Sequence, residues 1–91
     1  MVYNYTEDAV RRMLPEVLKD YLKIHPQTCT CELCRDDITA LALNQLPPHY
    51  VVSEEGAIFT SVGFEQIGGK AQVVAAITRA INQVAKKPRH K

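Results

Sequence analysis

Between positions 4 and 24 the apolar side chains recur at steps of three and four: Val10, Met13, Leu14, Val17, Leu18, Tyr21 and Leu22. On a helix of 3.6 residues per turn these fall on one stripe, which predicts a helix over 4–24. Asn4 and Glu7 have the spacing of an N-cap and its third helical residue, although Thr6 reads equally well as the cap. Glu7 and Asp8 place negative charge in the first turn, where the helix dipole favours it. Pro15 opposes the pattern, because an interior proline removes a hydrogen bond and costs about 3 kcal/mol. The stripe keeps its phase across Pro15, so a kink is predicted rather than two helices. His25-Pro26 ends the run, since a residue before proline is pushed out of the helical region.

Residues 27–35, Gln-Thr-Cys-Thr-Cys-Glu-Leu-Cys-Arg, read as a turn. A second helix is predicted over 35–46, with Asp36 and Asp37 in its first turn and Ile38, Leu41, Ala42 and Leu46 on its apolar face. Pro47-Pro48 stops it. The period then changes. Tyr50-Val51-Val52 and Ala57-Ile58-Phe59-Thr60 favour strand around Ser53-Glu54-Glu55-Gly56, predicting a short β-hairpin or extended arm over 50–60. A lone hairpin is marginal in water and needs a helix or second subunit beneath it. Gly68-Gly69 opens a third helix over 68–86, striped by Val73, Val74, Ile77, Ala80, Ile81 and Val84. Residues 87–91 form a basic tail. The fold class expected is a mainly α, three-helix small domain occupying 1–91.

Composition changes this picture little. The 91 residues make one domain, and 46% hydrophobic content is adequate for a small core. Eleven Lys+Arg against ten Asp+Glu leave a net charge of +1, too little for a chain that binds DNA directly. No apolar run approaches the roughly 20 residues that span a bilayer. The N-terminus lacks the basic flank and apolar stretch of a secretory signal, so the cytoplasm is the expected compartment. No phosphate loop, nucleophile elbow or acid–base pair stands out, and Gly68-Gly69-Lys70 lacks the full phosphate-loop spacing. The expectation is a protein that is not an enzyme.

The sharpest chemistry is Cys29-Thr30-Cys31-Glu32-Leu33-Cys34, which holds all three cysteines of the chain. An odd, clustered set is not a disulfide framework. A tight turn can aim three sulfurs at one zinc ion, which wants four donors in a tetrahedron. A helix starting near Cys34 would help hold them as thiolates. A redox pair at Cys31 and Cys34, an iron–sulfur cluster and plain loop packing are the weaker alternatives. The first lacks a βαβ context, and the second prefers four cysteines. The fourth zinc donor is open among His90, His25, His49, Asp36 and Asp37.

The segment from Cys29 to Tyr50 combines C-x-C-x-x-C, Asp36 and Ala-Leu-Ala-Leu-Asn-Gln-Leu-Pro-Pro-His-Tyr. It resembles the signature of the late competence protein ComFB family, and the flanking helices fit that layout. The resemblance implies a zinc-stapled homodimer with one metal ion in each subunit. Zinc-bearing members can complete the site with a cysteine after a Pro-Arg pair near the C-terminus. Here Pro88-Arg89 is followed by His90, so the resemblance makes His90 the fourth ligand beside Cys29, Cys31 and Cys34. Relatives that keep only Asn-x-Leu-Pro-x-x-Tyr resemble receptors for cyclic dinucleotide second messengers.

Such a ligand carries two phosphates and two purines. Arg35 could fork a phosphate or stack on a base, Asn44 could read a purine edge, and Tyr50 could stack. A homodimer groove would match the ligand's twofold symmetry. Each residue also has a plain structural role to weigh: Arg35 as a solvated partner of Asp36 or Asp37, Asn44 as a helix cap, Tyr50 as packing. The functional expectation is a regulatory module that binds cyclic di-GMP or cyclic di-AMP and passes its state to a protein partner. The alternative is a competence adaptor, serving DNA uptake without a small ligand.

Overall fold

The computed structural model describes residues 1–52 and 68–88. The described chain runs β1 (Tyr3–Asn4), α1 (Tyr5–Ile24), α2 (Glu32–Asn44), β2 (Tyr50–Val51) and α3 (Gly69–Lys86). The fold is mainly helical, with a two-stranded antiparallel ladder in which Tyr3 faces Val51 and Asn4 faces Tyr50. Among the described residues no helix is long and apolar enough to cross a membrane.

The apolar stripes become one core. Val10, Leu14 and Leu18 of α1, Cys34, Ile38 and Ala42 of α2, and Val73, Ala76, Ile77, Ala80, Ile81 and Val84 of α3 are buried together. Each set repeats at three- and four-residue steps, which keeps it on one face. α3 packs against both other helices, and small alanines on its face let them approach closely. Val74, counted with that stripe in the sequence, lies on its margin and stays 37% exposed. Polar contacts tie the periphery: the Tyr21 hydroxyl donates to Asn82 Oδ1 at 2.8 Å, and Arg79 Nε donates to Gln45 Oε1 at 2.8 Å.

α1 continues unbroken through Pro15. Its cap is Asn4, whose Oδ1 accepts the Thr6 amide at 3.1 Å and the His49 amide at 2.9 Å. The Tyr5 amide donates to the His49 carbonyl, and the buried Thr6 hydroxyl donates to the Pro47 carbonyl at 2.9 Å. The Pro47–Tyr50 segment is thereby fastened to the start of α1. It supplies partners for amides that a helix terminus leaves without intrahelical acceptors.

The bounds expected for α2 are corrected here. α2 begins at Glu32, not 35, because Cys31 takes an extended cap conformation and its sulfur accepts the Cys34 amide at 3.5 Å. Asp36 and Asp37 therefore sit beyond its first turn. The helix ends at Asn44, where Gln45 and Leu46 turn their amides back to the Ala42 and Leu43 carbonyls. The partner found for Tyr50-Val51 is the N-terminal Tyr3-Asn4. The second half of the expected hairpin, Ala57–Thr60, lies outside the described residues, as does the end of the basic tail.

Candidate metal centre

The turn between α1 and α2 is built locally. Thr28 donates its amide at 3.2 Å and its hydroxyl at 2.8 Å to the His25 carbonyl, which folds the chain back toward α2. Cys29 then rests partly buried against the core, Cys31 caps α2 in solvent, and Cys34 is buried in its first turn at 1% exposure. Their three sulfurs lie within 4.8 Å of one another. The sulfurs of a tetrahedral zinc site lie about 3.8 Å apart, given zinc–sulfur bonds near 2.3 Å. Small rotations would close the difference, so the trio fits three corners of such a site.

Electrostatics give a reason for a cation. The Cys34 amide, with help from the Cys29 thiol, holds the Cys31 thiol below its ordinary value. Burial pushes the Cys34 thiol up to about 12, and its neighbours Cys29 and Cys31 add to the rise. The α2 N-terminus favours negative charge, but three thiolates there would crowd together with one of them buried. A divalent cation would remove both the repulsion and the burial penalty. Without metal the sign runs the other way. The folded Cys34 holds its proton more tightly than the 9.0 of an unperturbed thiol. Its contribution is complete below about pH 9 and is lost as pH rises toward 12, because the unfolded chain then binds fewer protons. Metal-free protein should show thermal midpoints that fall across this range. A midpoint that stayed flat above pH 9 would contradict the burial of a neutral thiol.

Among the described residues no histidine or carboxylate joins the sulfur trio. His25 instead packs its ring on Tyr21, with centroids 4.7 Å apart. The backbone of His49 is tied to Asn4 and Tyr5 at the start of α1. Asp36 and Asp37 stand outside the group. His90 lies outside the described residues.

The residues expected for a nucleotide are spread out. Arg35 is exposed and lines a hollow of about 180 Å³ between α1 and α2, with Arg11, Leu14, Pro15, Leu18, Asp36 and Thr39. Tyr50 is 68% exposed and lines a groove of about 420 Å³ beside β1, with Tyr3, Asn4, Glu7, Asp8 and Arg11. Asn44 closes α2 and lines neither; at 1.5 Å per residue it is about 14 Å along the helix from Arg35. One subunit therefore does not gather the three. The residue common to both hollows is Arg11, which sequence reading passed over. Its only signal was a place on the polar face of α1, four residues after Glu7, whose carboxylate it meets at 3.2 Å.

Comparison with known proteins agrees with this architecture. The chain is 33% identical over 48 residues to the competence protein ComFB of Bacillus subtilis (strain 168), a match covering 53% of this chain and 49% of that protein. The chain thus spans about half the length of the curated relative it matches. The solved structure of the late competence protein ComFB from Bacillus subtilis is similar with a TM-score of 0.74 and 23% identity, covering 100% of both chains. That likeness speaks to the fold. The family model for late competence development protein ComFB matches residues 3–88, and the chain belongs to the ComFB family.

Proposed function

We propose that this chain is a non-enzymatic, cytoplasmic regulatory module: a zinc-stapled homodimer that binds a cyclic dinucleotide and reports its state to a protein partner. The observation that carries the metal half is the convergence of three cysteine sulfurs within 4.8 Å at the start of α2. A structural zinc there fastens the turn to the helix and the core, and closed sites of this kind contribute on the order of 10 kcal/mol to folding. Cys29, Cys31 and Cys34 supply three ligands, and His90 is the proposed fourth. His90→Ala should lose zinc to a competing chelator faster than wild type, while His49→Ala should not. Equal retention in both variants would remove His90 from the set.

The ligand half is supported by the two hollows that adjoin at Arg11. Tyr50 offers an exposed ring on one side, and Arg35 offers a guanidinium on the other. A phosphate would draw Arg11 from Glu7, exchanging an exposed ion pair of small value for a charge-assisted fork. Val2, Tyr50 and Val52 are 63%, 68% and 66% exposed around the short ladder, an apolar patch suited to a second subunit. Twofold pairing would repeat the residues across the ligand's own symmetry axis.

Thermal-shift titrations with cyclic di-GMP and cyclic di-AMP test this. A ligand at 100 times its Kd stabilises the fold by about 2.7 kcal/mol. Arg11→Ala should weaken binding by about 10- to 100-fold, the worth of a hydrogen bond to a charged group. No shift with either compound would leave the competence adaptor without a small ligand, the reading closest to the family's description.

A further inference from the structure

We infer that Cys31 and Cys34 form a peroxide-oxidisable pair whose disulfide dismantles the metal centre, making the staple releasable. The metal part of this inference rests on the zinc reading above; the thiol part rests on geometry. The two residues occupy the cap and the third position of α2, and the Cys34 amide donates to the Cys31 sulfur at 3.5 Å. That bond holds the Cys31 sulfur over Cys34, with the two sulfurs within 4.8 Å. Their environments divide the roles. Cys31 is exposed and open to a small oxidant, whereas Cys34 is buried beside it. Cys29 is half-buried against the core, and its sulfur also lies within 4.8 Å of the other two, so the pairing is distinguished by the exposure of Cys31 and its bond to the Cys34 amide. A C-x-x-C at a helix N-terminus is a setting in which thiols become reactive.

The chemistry balances with hydrogen peroxide as the oxidant. The Cys31 sulfur attacks one peroxide oxygen, the O–O bond breaks, and the leaving hydroxide takes a proton to become water. The resulting sulfenic acid is attacked by the Cys34 sulfur. A sulfur–sulfur bond forms, the S–O bond breaks, and a second water leaves. The two sulfurs give up two electrons, which the peroxide accepts. A disulfide is no longer a pair of thiolate ligands, so the centre keeps only Cys29 of its three sulfurs and its grip on a divalent cation collapses. Thiol reductants reverse the step by exchange.

The test uses the full chain, with zinc measured before any oxidant is added. After peroxide treatment, free thiols are alkylated and the chain is cut after Glu32, which separates Cys31 from Cys34. The expected result is two fragments that stay joined until reduced, an alkyl label on Cys29 alone, and zinc appearing in a chromogenic chelator as the link forms. In Cys31→Ser, which lacks the accessible thiol, Cys34 should stay alkylatable after the same peroxide treatment. Serine is a good helix cap, so this variant should keep its helicity. Zinc-loaded protein whose three thiols all remain alkylatable would overturn the inference, as would a link through Cys29 or between chains. Protein that carries no metal when purified with zinc present, yet still forms the Cys31–Cys34 link, would instead sink the zinc reading and leave the thiol pairing standing.

Discussion

Protein carrying Cys34→Ser is expected to lose bound zinc and to melt about 10 °C or more below wild type, since about 1 kcal/mol shifts a domain of this size by roughly 4–8 °C. Two costs combine. Cys34 is 1% exposed and packs in the main core with Ile38 and Ala42 on the same face of α2. Serine there buries a hydroxyl whose desolvation without a partner costs about 1–3 kcal/mol. The larger cost, for the zinc centre proposed above, is the loss of one of its three converging sulfurs, since closed sites of this kind contribute on the order of 10 kcal/mol to folding. Cys31→Ser separates the two. Cys31 is exposed and serves as the α2 cap, a place serine fills well, so this variant loses the metal without the packing cost. Thermal unfolding with and without zinc should thus show Cys34→Ser below Cys31→Ser in both conditions. Indistinguishable melting of the two variants would contradict the placement of Cys34 in the core.

Ile38→Ala gives the second large effect. Ile38 is fully buried one turn after Cys34, among the buried side chains of all three helices. Truncating a buried isoleucine removes its transfer free energy and leaves a partly relaxed cavity, together about 2–5 kcal/mol. Against a total stability of roughly 5–15 kcal/mol that is a large fraction, and the midpoint should again drop by about 10 °C or more. Zinc content per folded chain should not change, because Ile38 supplies no ligand. Val74→Ala, at a position 37% exposed on α3, is the control and should move stability by less than about 1 kcal/mol. A melting profile in which Ile38→Ala and Val74→Ala coincide would refute the packing described for α2.

What the sequence showed follows the range of the interactions involved. The stripes of α1 and α3 were legible because a helix face depends only on neighbours three and four residues away. Val10, Leu14 and Leu18, and Val73, Ile77 and Ile81, are buried as that spacing requires. The cysteine cluster was legible for the same reason, its three sulfurs being brought together by one turn and the first turn of one helix. The start of α2 was missed because its cap is a cysteine sulfur, outside the usual set of capping oxygens. β1 could not be read at all. Its two residues pair with Tyr50-Val51, and Asn4 accepts from an amide 45 residues away, a partnership that no local pattern records. Arg35, Asn44 and Tyr50 were chosen for their chemistry, but only the packing of α1 on α2 and the β1–β2 pairing show Arg35 and Tyr50 flanking Arg11, with Asn44 elsewhere.

Elemental analysis of the full chain, purified under reducing conditions with zinc present, bears most directly on the whole account. Close to one zinc per chain is predicted, lost from Cys34→Ser and from Cys31→Ser. Metal-free wild type with full helicity, unchanged in melting when Cys29, Cys31 and Cys34 are all replaced by serine, would contradict it.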